Sequence, residues 1–399
     1  MWHRAGRIKT TREIPVGAQV DGYVADGWQT VADTLQASLD AGEDVGAGVA
    51  VYHRGAKVVD VRGGEFEPGG APYDDRSLQL VFSTTKGITA IAVAMCVERG
   101  LLDYGAPVAT YWPEFAAAGK ADATVAQLIS HQCGLISVDG LTLEEALDWD
   151  TVTAALAAKE PEWAIGTGHG YHALTYGWLA GELVRRVDGR RIGQYLAEEI
   201  AGPLGLDFWI GLPESEEPRV SRLEQSPPPS DPEVLALMLA VMGPESNGFK
   251  ALTLNGAMMG FGADSPFNTR AVHATEMPAA NGITTARSLA RMYAATVGDV
   301  DGVRLIDDVT VKAATAERSN GPDACLVADS QFGCGFMLDG TMTPMLTPTS
   351  FGHAGAGGSL GYADPESKVG YGYVMNQMGG NLTGDPRTVG LTSAVRASL

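Results

Sequence analysis

The sequence predicts an α+β protein: an antiparallel sheet flanked by helices, built from both ends of the chain, with a mainly helical region inserted in the middle. Three observations carry this reading. Alternating, β-branched stretches broken by tight turns lie near 45–61 and again beyond 331, whereas the middle of the chain shows helix-period segments and loops. No regular strand–helix alternation runs through it, which argues against a doubly wound parallel sheet. With 399 residues, 45% of them hydrophobic, the chain buries a large core. The expected division is 1–103 with 281–399 for the sheet region and 104–280 for the helical region, with a site in the cleft between them.

Taken in order, a polar leader precedes residues 28–39, whose apolar positions recur at helical spacing. Residues 45–52 and 57–61, joined at Arg54-Gly55, read as a hairpin. A short strand over 77–82 then feeds a helix whose apolar run through Ile88, Ile91, Met95 and Leu101 ends in a basic turn and a glycine, Arg99-Gly100. Helical segments follow at 125–130, 143–147, 152–158 and 174–187. The proline cluster at 226–232 is the stiffest punctuation, read as a surface loop or cap rim. A helix over 284–295 leads back to strands at 332–338, 352–362 and 369–375, and to a last helix near 389–397.

Composition excludes several functions. Against 28 Lys and Arg stand 48 Asp and Glu, a formal charge of −20 that repels nucleic acid and anionic lipid alike. No stretch reaches the roughly 20 apolar residues of a membrane helix, and no signal-like segment follows the basic N-terminus, so a cytoplasmic protein is expected. Cys96, Cys133, Cys325 and Cys334 lack paired spacing and fit reduced thiols. The 7 histidines form no metal-binding pattern, so neither metal nor other cofactor is expected.

The chemistry gathers around Ser83-Thr84-Thr85-Lys86. Three residues is nearly one helical turn, so the hydroxyl and the amine share a face and can touch. An alcohol needs an adjacent base, and a lysine at the positive end of an apolar helix loses its proton early. Taken alone, a serine there is more often just an N-cap. In the loop before the 174–187 helix, Tyr171 is placed to relay a proton, its phenol acidified by a nearby ammonium; the commoner use of such a tyrosine is as a loop anchor. The glycines of 352–361 let backbone N–H groups approach a ligand, or simply let a strand twist.

Five ordered motifs then carry a resemblance: Ser83-Thr84-Thr85-Lys86, Ser130-His131-Gln132-Cys133-Gly134-Leu135, Tyr171-His172-Ala173, Asn281-Gly282-Ile283-Thr284-Thr285-Ala286 and His353-Ala354-Gly355. They resemble the serine β-lactamase and penicillin-recognising superfamily, β-lactamase/transpeptidase-like in fold, and are most similar to the family VIII carboxylesterases over roughly residues 28–395. The resemblance implies Ser83 as the acylated nucleophile and Lys86 with Tyr171 as the proton-handling pair. It implies an oxyanion hole at the N–H groups of Ser83 and Ala356, and substrate binding by His353, Gly355 and Gln132.

Two departures bear on substrate. Ala173 stands where the lactamases have an amide side chain, and His353, expected to be only partly charged, replaces a lysine. Both favour small neutral esters over β-lactams. β-Lactamase, D-amino-acid peptidase or amidase, and acyltransferase activities remain alternatives, as does a non-catalytic ligand-binding protein. Gly357-Gly358-Ser359-Leu360-Gly361 matches the nucleophile elbow of another hydrolase fold, G-x-S-x-G. No helix is expected after it and no histidine lies beyond His353, so Ser359 is read as a decoy.

Overall fold

The computed structural model describes residues 19–225, 232–260, 265–380 and 384–399. The basic leader and most of the proline cluster at 226–232 lie outside these residues. The strands from the N-terminal half are β1 (Asp21–Val24), β2 (Gly46–His53), β3 (Ala56–Gly64), β4 (Leu78–Leu80) and β5 (Phe208–Trp209). Then come β6 (Val220–Ser221), β7 (Ile283–Thr284), β8 (Ser319–Pro322) and β9 (Asp329–Phe332). The last four are β10 (Met337–Leu338), β11 (Phe351–Ala354), β12 (Leu360–Asp364) and β13 (Val369–Met375).

Nine of them form one antiparallel sheet in the order β1-β3-β2-β13-β12-β11-β10-β9-β8, which joins the two ends of the chain at the β2–β13 seam. The fold is α+β, as the alternating patterns predict. The center of the sheet is dry on both faces: every residue of β12 and β13 is buried. One face packs against the helix Ala286–Val297, whose closeness depends on missing side chains. A Cβ on Gly370 would stand 2.3 Å from Ala294 N, so only glycine lets helix backbone and strand backbone meet there. The other face carries the helices Gln29–Asp40 and Pro386–Ser398, which pack on each other.

Three differences from the sequence reading have physical causes. Residues 352–362 are not one glycine-rich strand but the hairpin β11–β12, its turn placed by Gly357 at φ 87° and Gly358 at φ 120°. Residues 332–338 likewise divide into β9 and β10 around the turn Gly333–Gly335. The strand before Ser83 belongs not to the large sheet but to a second one, ordered β5-β7-β4-β6, whose two- and three-residue strands are too short to leave a periodic signal.

That small sheet holds the segment that matters most. The chain leaves β4, turns at Phe82 in a left-handed conformation (φ 43°), makes a tight turn over Phe82–Thr84 and enters the helix Thr85–Glu98. The helix is buried from Thr85 through Cys96 and packs on the helix Thr175–Asp188. Among the described residues, no helix is long and apolar enough to cross a membrane.

Candidate active site

Ser83 follows the strained Phe82, whose ring packs edge-on against Phe267 at 4.9 Å. Left-handed backbone at a bulky residue persists only where the surroundings impose it. Here the surroundings are two hydrogen bonds to the Asn281-Gly282 segment: Val81 N–H to Gly282 O at 2.9 Å, and Gly282 N–H to Thr85 Oγ1 at 2.8 Å.

Lys86 lies one turn on, fully buried, with Nζ 3.1 Å from Ser83 Oγ. It donates to Ala173 O at 2.6 Å and to Ala279 O at 3.0 Å. The Asn281 side chain fixes the second of these acceptors. Its Oδ1 accepts from Met277 N–H at 2.9 Å, and its Nδ2 donates to Val272 O at 2.8 Å and to Thr275 O. These bonds staple the 272–281 turn that presents Ala279. Burial, with no carboxylate opposing it, holds the Lys86 ammonium well below the ordinary lysine range.

The Tyr171 ring lies under Lys86, its centroid 4.7 Å from Nζ. The expected acidified phenol is not found. Burial raises the Tyr171 hydroxyl above its ordinary value, the nearby Ser83 lowers it only in part, and Asp323 raises it further. Its hydroxyl makes no hydrogen bond of ordinary geometry among the described residues, although it faces Ser83. Burial of the phenol itself is the dominant influence on its acidity.

Asp323, which no motif announced, holds the tyrosine loop. Its fully buried carboxylate accepts from Tyr171 N–H (3.0 Å), Cys325 N–H (2.8 Å), Leu326 N–H (3.0 Å) and Ser330 Oγ (2.7 Å). His172 is structural: Nδ1 donates to Gly170 O at 2.6 Å and Nε2 accepts from Leu135 N–H at 3.0 Å. Burial lowers it to about 4. His131, in left-handed backbone at φ 66°, accepts from His172 N–H at Nδ1, so its proton sits on Nε2 among the rings of Tyr171, Tyr176 and Phe332.

His353 corrects a second expectation. It is fully buried, and burial holds it well below the usual histidine range, so the ring is neutral rather than partly charged. Nδ1 donates to Ala354 O at 2.7 Å, which leaves Nε2 a bare acceptor with no partner among the described residues. The ring centroid lies 5.9 Å from that of Tyr171.

Gly355 presses against the serine turn so closely that a Cβ there would fall 2.3 Å from Val81 O. Gly358 N–H closes the turn onto Gly355 O at 3.1 Å. The N–H groups of Ser83 and Ala356 donate to no acceptor among the described residues. The Gln132 side chain is tied to its surroundings through Nε2, which donates to Ser130 Oγ at 2.7 Å and to Arg318 O at 3.1 Å. Phe332, stacked on Tyr171 at 6.0 Å, also lines a cavity of about 230 Å³ whose walls are mostly polar, Asp329, Gln331 and Thr343 among them, and which Ser83, Lys86 and Tyr171 do not line. Ser359 is buried, its hydroxyl donating to the carbonyl of Val81 at 2.9 Å, which is no base.

Comparison with known proteins agrees with this architecture. The family model described as "Beta-lactamase" matches residues 31–394. The chain is 38% identical over 354 residues to "Esterase/beta-lactamase LipL" of Mycobacterium tuberculosis, covering 86% of this chain and 80% of that one. Among solved structures, a family VIII carboxylesterase is 36% identical with a TM-score of 0.86, covering 95% of this chain and 100% of that one. A penicillin-binding protein homolog from Caulobacter crescentus is 40% identical with the same TM-score and coverage.

Proposed function

The chain belongs to the beta-lactamase family, and on that premise we propose that it is a serine carboxylesterase acting on small neutral esters through an acyl-enzyme at Ser83. The observation that carries this reading is the environment of Lys86. A neutral amine has two hydrogens and one lone pair. The carbonyls of Ala173 and Ala279 take the hydrogens, so the lone pair is directed at the Ser83 hydroxyl 3.1 Å away.

In this mechanism Ser83 Oγ attacks the ester carbonyl as its proton passes to Lys86. The resulting ammonium is held by the same two carbonyls and by the Tyr171 ring face. The unpaired N–H groups of Ser83 and Ala356 receive the oxyanion. Tyr171, kept a phenol by burial, donates to the departing alkoxide and recovers a proton from the Lys86 ammonium. Water then attacks the acyl carbon, passes its proton back along the same route, and releases the acid and Ser83.

The substrate class follows from charge. His131, His172 and His353 are held neutral by burial, and Lys86 is uncharged before attack, so nothing in this group offers a fixed cation to a substrate carboxylate. Slow β-lactam turnover is a second reading, favoured by the double name of the Mycobacterium tuberculosis relative. Ser83→Ala abolishes hydrolysis of p-nitrophenyl butyrate on this account; activity within tenfold of the parent would remove Ser83 from the mechanism.

A further inference from the structure

Ser359 stands in a G-x-S-x-G motif that the reaction does not use as a nucleophile, yet its hydroxyl is fully engaged. It carries one proton, which goes to Val81 O at 2.9 Å, so in the 2.9 Å contact between Ser359 Oγ and Thr84 Oγ1 it is Thr84 that donates. Val81 and Thr84 flank Phe82-Ser83. Ser359 O also accepts from Gly355 N–H at 2.7 Å, which closes the base of the turn that carries Ala356. One serine therefore binds both segments whose N–H groups have no acceptor of their own.

The far side of this turn is clamped as well. Arg387 Nη2 donates to Gly357 O at 2.6 Å and is itself held by Asp385 and Asp44. Ser359 is the only side chain among the described residues that hydrogen-bonds the serine turn from the glycine hairpin. Resting on the assignment of Ser83 as nucleophile, we propose that Ser359 is a positioning residue, setting the separation of the Ser83 and Ala356 N–H groups so that both reach the oxyanion of the tetrahedral intermediate.

A residue that aligns oxyanion donors acts on the transition state and leaves ground-state binding alone. Loss of a whole donor costs about a hundredfold or more in kcat, and a displaced donor costs less. Ser359→Ala is expected to lower kcat on p-nitrophenyl butyrate about tenfold, to leave KM within twofold, and to weaken inhibition by a trifluoromethyl ketone, which forms the tetrahedral adduct, by the same factor as kcat. Thr84→Val, which removes only the second bond and keeps the side-chain volume, is expected to lower both by about threefold and supplies the test if Ser359→Ala does not fold. With Ser83→Ala inert, kcat and ketone inhibition both within twofold of the parent in these variants, or a loss confined to KM, would overturn the positioning role alone. Activity persisting in Ser83→Ala would overturn the underlying assignment instead.

Discussion

Lys86 has no carboxylate partner, so burial acts on it alone, and the direction of every proton step depends on that fact. Because the pKa is lowered, the reactive free amine dominates above it and is lost as pH falls through it. kcat/KM is therefore expected to rise with pH along a single limb and to hold its plateau through pH 9, since burial also keeps Tyr171 from ionising there. A falling limb between pH 7 and 9 would contradict this. Lys86→Arg, which cannot shed its proton, is expected to lose about a thousandfold in kcat or more. Tyr171→Phe is expected to lose at least about a hundredfold; a near-normal rate would reduce Tyr171 to a loop anchor. The contact of Ser83 with Lys86 was legible in the S-x-x-K spacing because a helix fixes it. The carbonyls of Ala173 and Ala279 were not, because backbone acceptors have no letter in a sequence. The acidity of Tyr171 differs from expectation for a related reason: its direction is set by how deeply the phenol is buried, which no residue letter states.

At the scale of elements, the site is assembled by short segments pinned to long ones. Asp323 pins the tyrosine loop with four accepted hydrogen bonds. Asp323→Ala would leave three buried N–H groups without partners, at a cost of the order of 3 kcal/mol or more, and thermal unfolding should reveal it as a fall of several degrees. An unchanged melting temperature would show that the loop is held elsewhere. Long periodic elements were readable: the β2–β3 hairpin and the helices after Ser83 and around 174–187 lie close to their expected bounds. The β11–β12 hairpin was not, because glycine both interrupts strands and forms turns and its letter does not say which. The small sheet was missed because strands of two or three residues exist through their tertiary partners, not through pattern. Asp323 was missed because an acid in an irregular loop has no spacing rule.

Across the whole molecule, several histidines are buried as neutral rings around the site. Each has a folded pKa below its unfolded value, so the unfolded chain binds more protons as the medium is acidified. Stability is thus retained above about pH 6.5 and lost as pH falls toward the folded value, about 4 for His172. Denaturant midpoints are expected to drop steadily across that window, and His172→Asn, which cannot titrate, should flatten part of the slope. An identical slope in parent and variant would mean that other groups govern acid unfolding.

The central claim is that Ser83, and no other hydroxyl, carries the acyl group. The most direct measurement is to inactivate the full chain with a fluorophosphonate, digest it and locate the added mass. The account predicts one adduct per chain, on Ser83, absent from Ser83→Ala and formed at a rate that rises with pH as Lys86 loses its proton. An adduct on Ser359 or any other residue, with Ser83 unmodified, would contradict it.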